Sequence, residues 1–388
     1  MKDLVSKEIL KGYSTKCVHS DNYYDDVISG AMPPIFNSTA NSFDSETGHI
    51  YYPRYLNMPT QKSTAKKIAS LENAEDGLLF SSGMGAISAA LFSLLPAGSH
   101  VIFAPDLYGG THFLVTSEFE RAGIRYSFAK SNKIEDFAAE IRDNTRIIYI
   151  ETPSNPLLKI IDIKAVANFA RKNNILTIID NTFASPINQN PYSLGIDIVV
   201  HSGTKYLNGH SDLICGAIVS SSELIERIRP YAINHGATLS VQSCYLLERG
   251  IRTLALRIHR HNENALALSR YLESHKLVHK VYYPGLESHP DHIIAKSQMS
   301  GFGGMLSFEL ACDKKLSKNI TSKLTLASEA GSLGGVESTL CYPSETSHAK
   351  MSPEDRLKAG ITDSLIRFSV GIEETQDLIA DIEAAMSV

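Results

Sequence analysis

Apolar residues along this chain alternate between helical spacing and short unbroken runs. Ala65, Ile68, Ala69 and Leu71 share one face of a helix predicted over 61–73. Leu78-Leu79-Phe80 reads as a short strand or turn, and Met84, Ile87, Leu91 and Leu94 stripe a helix over 84–95. Strands are predicted at 101–104, 125–128, 147–150 and 175–180, with helices near 111–121, 134–142 and 163–171 between them. Apolar runs at 198–200 and 214–219 end the series. Runs that stay apolar at successive positions are buried on both faces, and helices between them link parallel neighbours. The pattern predicts an α/β domain over 61–240, with a mostly parallel sheet and helices on both faces.

The flanks differ in texture. Residues 1–60 are rich in Tyr, Ser, Asn, Asp and Pro and show little periodicity. Segments such as Met32-Pro33-Pro34-Ile35-Phe36 and Tyr51-Tyr52-Pro53-Arg54-Tyr55 are nevertheless too apolar and aromatic for a disordered tail. An ordered arm lying on a partner subunit is expected. Beyond 240, a helical stretch over 241–267, interrupted at Gly250, precedes strand-like segments at 304–310 and 366–371 and a terminal helix over 377–386. Residues 241–388 are expected to form a smaller α+β domain.

Composition narrows the function classes. Of 388 residues, 43% are hydrophobic and 20% charged, which is ordinary for globular domains. A formal net charge of −5 without a long basic run argues against nucleic-acid binding and against a membrane-surface role. The start, Met1-Lys2-Asp3-Leu4-Val5-Ser6-Lys7-Glu8, has no apolar core of a secretory signal, and no apolar stretch is long enough to span a bilayer. Cys17, Cys215, Cys244, Cys312 and Cys341 are scattered and form no Cys-x-x-Cys pair. A reducing, cytoplasmic setting therefore fits better than a disulfide framework or a zinc site. His259 with His261, and His289 with His292, lack further ligands, and no metal is expected.

Parallel α/β sheets bind ligands at the carboxyl ends of their strands. Here successive strand ends carry complementary chemistry. Ser82, Gly83 and Met84 open a helix whose free N–H groups and dipole suit an anion, and Gly83 and Gly85 permit close approach. Asp106-Leu107-Tyr108-Gly109-Gly110 offers Tyr108, a residue able to stack on a ring and to move a proton. Glu151-Thr152-Pro153-Ser154-Asn155-Pro156 holds Asn155 between prolines. Asp180 closes an apolar run, placed to pair with a buried cation such as a protonated pyridine nitrogen. Lys205 stands just past the strand at 198–200, where desolvation lowers an amine's pKa and makes it nucleophilic. Ser202 and Thr204 beside it suit a phosphate. Singly, these are a tight turn, a rim tyrosine, a helix cap or a surface lysine. Jointly, phosphate donors, an aromatic ring, an amide, a carboxylate and an amine match pyridoxal 5'-phosphate (PLP) and its Schiff-base lysine.

Ser-Gly-Met at 82–84, Leu-Tyr-Gly at 107–109, Ser-Asn-Pro at 154–156, Asp-Asn-Thr at 180–182 and Ser-Gly-Thr-Lys-Tyr-Leu-Asn-Gly-His at 202–210 resemble the Cys/Met-metabolism PLP enzymes. This is the trans-sulfuration group: cystathionine γ-lyase, cystathionine γ-synthase, cystathionine β-lyase and methionine γ-lyase. The resemblance continues through Tyr-Pro-Gly-Leu at 283–286, Ser-Leu-Gly-Gly-Val-Glu-Ser at 332–338 and Arg-Phe-Ser-Val-Gly-Ile-Glu at 367–373, nearly the whole chain. It implies the PLP-dependent transferase fold type I, with a central sheet of the seven-stranded type, and a homotetramer of two tight dimers. It implies that Lys205 carries the cofactor, Asp180 pairs with its ring nitrogen and Tyr108 stacks on the ring. Ser82, Gly83, Met84, Ser202 and Thr204 would hold the phosphate. Tyr52 and Arg54 would reach the phosphate of the neighbouring subunit. Asn155 and Arg367, with Ser338 beside them, would bind the substrate carboxylate, for which arginine's fork is suited.

The family's Tyr-x-Arg-x-x-Asn-Pro-Thr is lengthened here to Asn57-Met58-Pro59-Thr60, which puts the pocket mouth, and with it the substrate, in question. Gly110 stands where methionine γ-lyases typically carry a cysteine, which counts against that activity. Glu337 matches a glutamate common in γ-lyases and γ-synthases and favours a substrate with a distal amino group. The expected activity is γ-elimination from cystathionine or a related amino acid, giving a 2-oxo acid, ammonia and a thiol, with Lys205 and Tyr108 moving protons. The alternatives are cystathionine γ-synthase or O-acylhomoserine sulfhydrylase, then cystathionine β-lyase or methionine γ-lyase. A catalytically silent binding subunit is the alternative from another class.

Overall fold

A computed structural model describes residues 11–387 except 26, 44, 47, 49 and 350, so the segment inspected for a secretory signal lies outside the described residues. The apolar runs form β1 (Asp76–Phe80), β2 (His100–Phe103), β3 (Arg125–Phe128), β4 (Thr145–Glu151), β5 (Leu176–Asp180), β6 (Ile198–His201) and β7 (Gly216–Ser220). They join in one seven-stranded sheet, in the order β1-β7-β6-β5-β4-β2-β3. Only β7 runs against its neighbours β1 and β6; the remaining pairs are parallel. Every residue of β2, β6 and β7 is buried, as strands covered on both faces must be. Helix Gly83–Leu94 packs on β6 and β7 and buries Ile87, Leu91 and Leu94. Each such side chain contributes about 1.5–3 kcal/mol.

A second sheet holds β8 (Val278–Tyr282), β9 (Met305–Leu310), β10 (Ser328–Glu329), β11 (Thr339–Cys341) and β12 (Leu365–Ser369), in the order β10-β11-β12-β9-β8. Helix Leu254–Ser274 ties the sheets together. Its Leu254, Ala255 and Ile258 lie in the core of the first sheet, and its Ala265, Leu268 and Leu272 in that of the second. Among the described residues no helix is long and apolar enough to cross a membrane.

The single stretch expected over 241–267 is two helices, Val241–Ile251 and Leu254–Ser274. Gly250 is helical rather than a break. A Cβ there would sit 2.4 Å from the Asn208 carbonyl oxygen, so glycine lets this helix press against the turn that follows Lys205. Helix Tyr13–His19 falls within the segment read as aperiodic. Helix Ser222–His235 also escapes the pattern, because Pro230 lies inside it. Met58, the additional residue near the arm, is buried at the start of helix Pro59–Glu72. The chain turns into that helix through Leu56, at φ 58°.

Candidate active site

The carboxyl ends of β4, β5 and β6, the segment after β2 and the helix start after β1 open into one cavity of about 450 Å³. Ser82, Gly83, Met84, Tyr108, Asn155, Asp180, Ser202, Thr204, Lys205 and Arg367 all line it.

One end suits an anion. Ser82 caps helix Gly83–Leu94, its hydroxyl accepting the Gly85 N–H at 3.0 Å. The N–H groups of Gly83 and Met84, in the first turn, have no intrahelical acceptor and point out of the helix. A Cβ on Gly83 would lie 2.9 Å from Ser202 Cβ, so this helix start and the end of β6 are in direct contact. Ser202 donates its N–H to Thr182 Oγ1 at 2.8 Å, and among the described residues its hydroxyl has no hydrogen-bond partner. Thr204 is more constrained. Its Oγ1 accepts the Cys215 N–H at 3.0 Å and donates to the Cys215 carbonyl at 3.1 Å, so a lone pair, not a proton, is what remains for a ligand.

The opposite end suits a cation. Asp180 is 7% exposed and its carboxylate accepts the Thr182 N–H at 3.0 Å. Burial raises its pKa, against the lowering effect of the Thr182 hydrogen bonds and of His201. A buried carboxylate in that state is stabilised by a cationic partner. On the neighbouring strand, Glu151 pairs in register with Asp180, and its carboxylate accepts the Tyr108 N–H at 2.7 Å. Burial, then the Asp180 charge, push the Glu151 pKa well above the carboxylate range. The Tyr108 ring is 44% exposed and faces the cavity.

Lys205 lies between these ends. Its Nζ donates to Ser332 Oγ at 2.9 Å. Burial, then the Arg367 charge, lower its pKa, as a nucleophilic amine requires. The turn that carries it is held from behind by buried Arg257, whose guanidinium donates to the carbonyls of Tyr206 at 2.8 Å and Leu207 at 3.3 Å. Arg367, on β12, donates to Asn155 Oδ1 and to the Ser332 carbonyl, both at 3.3 Å. Bonds this long leave its fork able to take a carboxylate.

Two expected residues, Ser338 and Glu337, lie elsewhere. Ser338 does not line the cavity. Its hydroxyl donates to Glu373 Oε2 at 3.0 Å and accepts the Gly371 N–H at 2.9 Å. The serine beside Lys205 and Arg367 is Ser332 instead. Exposed Glu337 accepts a bond from Ser211 Oγ at 3.1 Å, outside the lining. Tyr52 and Arg54 do not reach this chain's own cavity. Arg54 donates to the Ile233 carbonyl at 3.1 Å, with its guanidinium 5.6 Å from the Tyr52 ring centre. Ser332, Thr182 and Glu151 went unassigned from sequence. Of these only Glu151, an acid closing an apolar run as Asp180 does, carried a readable signal.

The donor set fits PLP. It offers helix N–H groups and a hydroxyl for a phosphate, a partly desolvated amine for an aldehyde, and a buried carboxylate that makes no ion pair among the described residues for a ring nitrogen. Known proteins agree. The sequence profile of the Cys/Met metabolism PLP-dependent enzymes matches residues 14–387. The chain is 42% identical to an L-methionine gamma-lyase of Fusobacterium nucleatum (97% of this chain, 98% of that one). It is 44% identical to a cystathionine beta-lyase of Lactococcus lactis (96% and 98%). Its fold superposes on a cystathionine gamma-lyase of Lactobacillus plantarum complexed with L-serine, with TM-score 0.92, 39% identity and coverage of 97% and 98%. Matches of this extent and identity, over a cavity with this chemistry, place the chain in the Cys/Met metabolism PLP-dependent enzyme family.

Proposed function

We propose that this PLP-dependent enzyme cleaves the C–S bond of cystathionine or a closely related amino acid by γ-elimination, releasing a 2-oxo acid, ammonia and a thiol. The observation that carries this reading is the Lys205 amine, partly desolvated in the cavity and hydrogen-bonded to Ser332 at 2.9 Å, within the field of Arg367. Bound PLP supplies an electron sink for the pair left when a bond to Cα breaks. Asp180 keeps the ring nitrogen protonated. Gly83, Met84 and Ser202 hold the phosphate, Thr204 bracing their loop through Cys215. Arg367 and Asn155 fix the substrate carboxylate, and Ser332 orients Lys205 toward the Cα proton. The Lys205 Nζ takes that proton and is then placed to act at Cβ. The Tyr108 phenol, at the open side, protonates the departing sulfur. Acid–base steps of this kind contribute about 10²–10⁴-fold each.

Methionine is not favoured as the main substrate. Gly110 stands where methionine γ-lyases typically carry a cysteine, and a Cβ there would lie 2.5 Å from Tyr108 Cε1, so a side chain at this position requires the tyrosine ring to turn aside. The 44% identity to a cystathionine beta-lyase supports β-elimination as the second reading. Incubation with cystathionine separates the two: 2-oxobutanoate as the main product is expected, and pyruvate in its place would transfer the assignment to β-elimination. Glu337→Ala tests whether that side chain meets a distal ammonium, with a raised KM for cystathionine expected. Lys205→Ala should abolish turnover and covalent labelling by borohydride.

We further infer a homotetramer, with residues 1–60 as an arm on the neighbouring subunit and the chain dividing into 61–240 and 241–388. Val27, Ile28 and Phe43 are 91%, 79% and 63% exposed, which suits a covered surface, and Tyr52 and Arg54 are directed away from their own cavity. Light scattering gives the subunit number. Five unpaired cysteines support a cytoplasmic setting.

A further inference from the structure

We propose that Glu151 is the positioning residue of the ring-facing tyrosine: its side chain ties the main chain of Tyr108 to the end of a central strand, the strand that runs on into the loop carrying Asn155. The inference rests on the PLP reading of the cavity. Glu151 is the last residue of β4, which is paired on both sides by β2 and β5, and it is 5% exposed. It is thus anchored on an interior strand of the sheet, where a supporting group is well placed. Tyr108 is not so held. Its ring is 44% exposed, its phenol makes no hydrogen bond among the described residues, and its N–H donates to Glu151 Oε2 at 2.7 Å. Asn155 follows four residues after Glu151 and accepts from Arg367 at 3.3 Å, so the strand end that Glu151 fastens to Tyr108 leads directly to the carboxylate end of the cavity.

The neighbour across the strand decides the form in which Glu151 works. Asp180 stands in register beside it, and two anions at adjacent strand positions repel. Asp180 needs its charge for a ring nitrogen; Glu151 needs only an oxygen that accepts N–H groups, which a neutral carboxyl still has. Burial and the Asp180 charge both favour that neutral form. A glutamine therefore reproduces the working state. An aspartate is shorter by one methylene, about 1.5 Å, and its oxygens no longer reach.

The test compares Glu151→Gln with Glu151→Asp in the PLP-loaded enzyme. The readouts are visible circular dichroism of the bound cofactor, the dissociation constant of PLP, and KM separately from kcat. The Asp variant should lose most of the cofactor dichroism and show a raised KM, with kcat/KM down about tenfold, as expected for a buried donor left unmatched. The Gln variant should recover both signals. Recovery by Asp but not Gln would mean that Glu151 acts through its charge, parent-like behaviour of both would mean that it positions nothing, and equal loss in both would mean that the neutral form does not suffice; each result overturns the proposal. A parent protein that takes up no PLP would instead overturn the cofactor reading itself.

Discussion

Gly83→Ala puts the anion end of the cavity to a direct test. The added Cβ would stand 2.9 Å from Ser202 Cβ, 3.0 Å from Ser202 Oγ and 3.1 Å from Ser202 Cα. Carbon atoms in contact sit about 3.5–4.0 Å apart, so the helix start and the end of β6 must separate by about 0.5–1 Å. Rotating Ser202 moves only its hydroxyl; Cα and Cβ are fixed by the strand. Nor can the helix start retreat along the sheet, because the Ser82 carbonyl lies against Gly216, where a Cβ would be only 2.2 Å away. Overpacking of this kind costs about 1–3 kcal/mol, which as binding energy is about 5- to 150-fold in affinity. Apo-protein titrated with PLP, followed by visible absorbance, gives that number. Pyridoxal, which lacks the phosphate, is the control, and its affinity should change far less. Equal losses for the two ligands would show that the damage is general. Unchanged PLP affinity would refute the placing of a phosphate between this helix start and Ser202.

Arg367→Lys removes the planar fork while keeping the charge, so KM for an amino-acid substrate should rise about tenfold or more with a smaller fall in kcat, read from steady-state kinetics. Lys67 is fully buried, its amine bonded to Glu248 and to Asn22 Oδ1. Among the described residues, Lys67→Met leaves Glu248 with only Arg252 at 3.5 Å and should destabilise by about 3–5 kcal/mol in urea unfolding, whereas adding Glu248→Leu should recover most of the loss. His100 bonds Thr145 and Ser127 at 2.8 Å, and burial lowers its pKa from 6.5 to about 4. The folded state then binds that proton more weakly than the unfolded chain, so stability is full above pH 6.5 and is lost as pH falls from 6.5 toward 4. His100→Gln should flatten the urea midpoint across that window, and an unchanged slope would exclude His100 as a contributor.

The first sheet was legible because parallel strands buried on both faces leave unbroken apolar runs. β8 was not: Val278-His279-Lys280-Val281-Tyr282 is half exposed at a sheet edge and carries only scattered apolar positions. Tyr108, Asp180 and Lys205 could be read because each sits at a strand end with chemistry that a plain turn does not need. Ser332 could not, since one serine in a Gly- and Ser-rich loop resembles any other. The sequence reading placed Ser338 beside Arg367; the loop turns back through Gly334 at φ 75°, so Ser332 faces Lys205 while Ser338 is drawn to Glu373. Proximity in such a loop is decided by a left-handed turn, which spacing along the chain does not reveal.

The site also depends on a distance that neither sheet sets alone. Lys205 belongs to the first sheet and Arg367 to the second, yet the Arg367 charge acts on the Lys205 amine, and both groups meet at Ser332. Helix Leu254–Ser274 fixes their separation. Through Arg257 it holds the carbonyls of Tyr206 and Leu207 just after the lysine, and through Ala265, Leu268 and Leu272 it packs into the core that carries β12. The base and the carboxylate binder are therefore attached to one rigid rod. Loss of Arg257 would release the Lys205 turn without touching substrate, so Arg257→Met should lower kcat more than it raises KM. A change confined to KM would show that the helix does not set the position of the lysine.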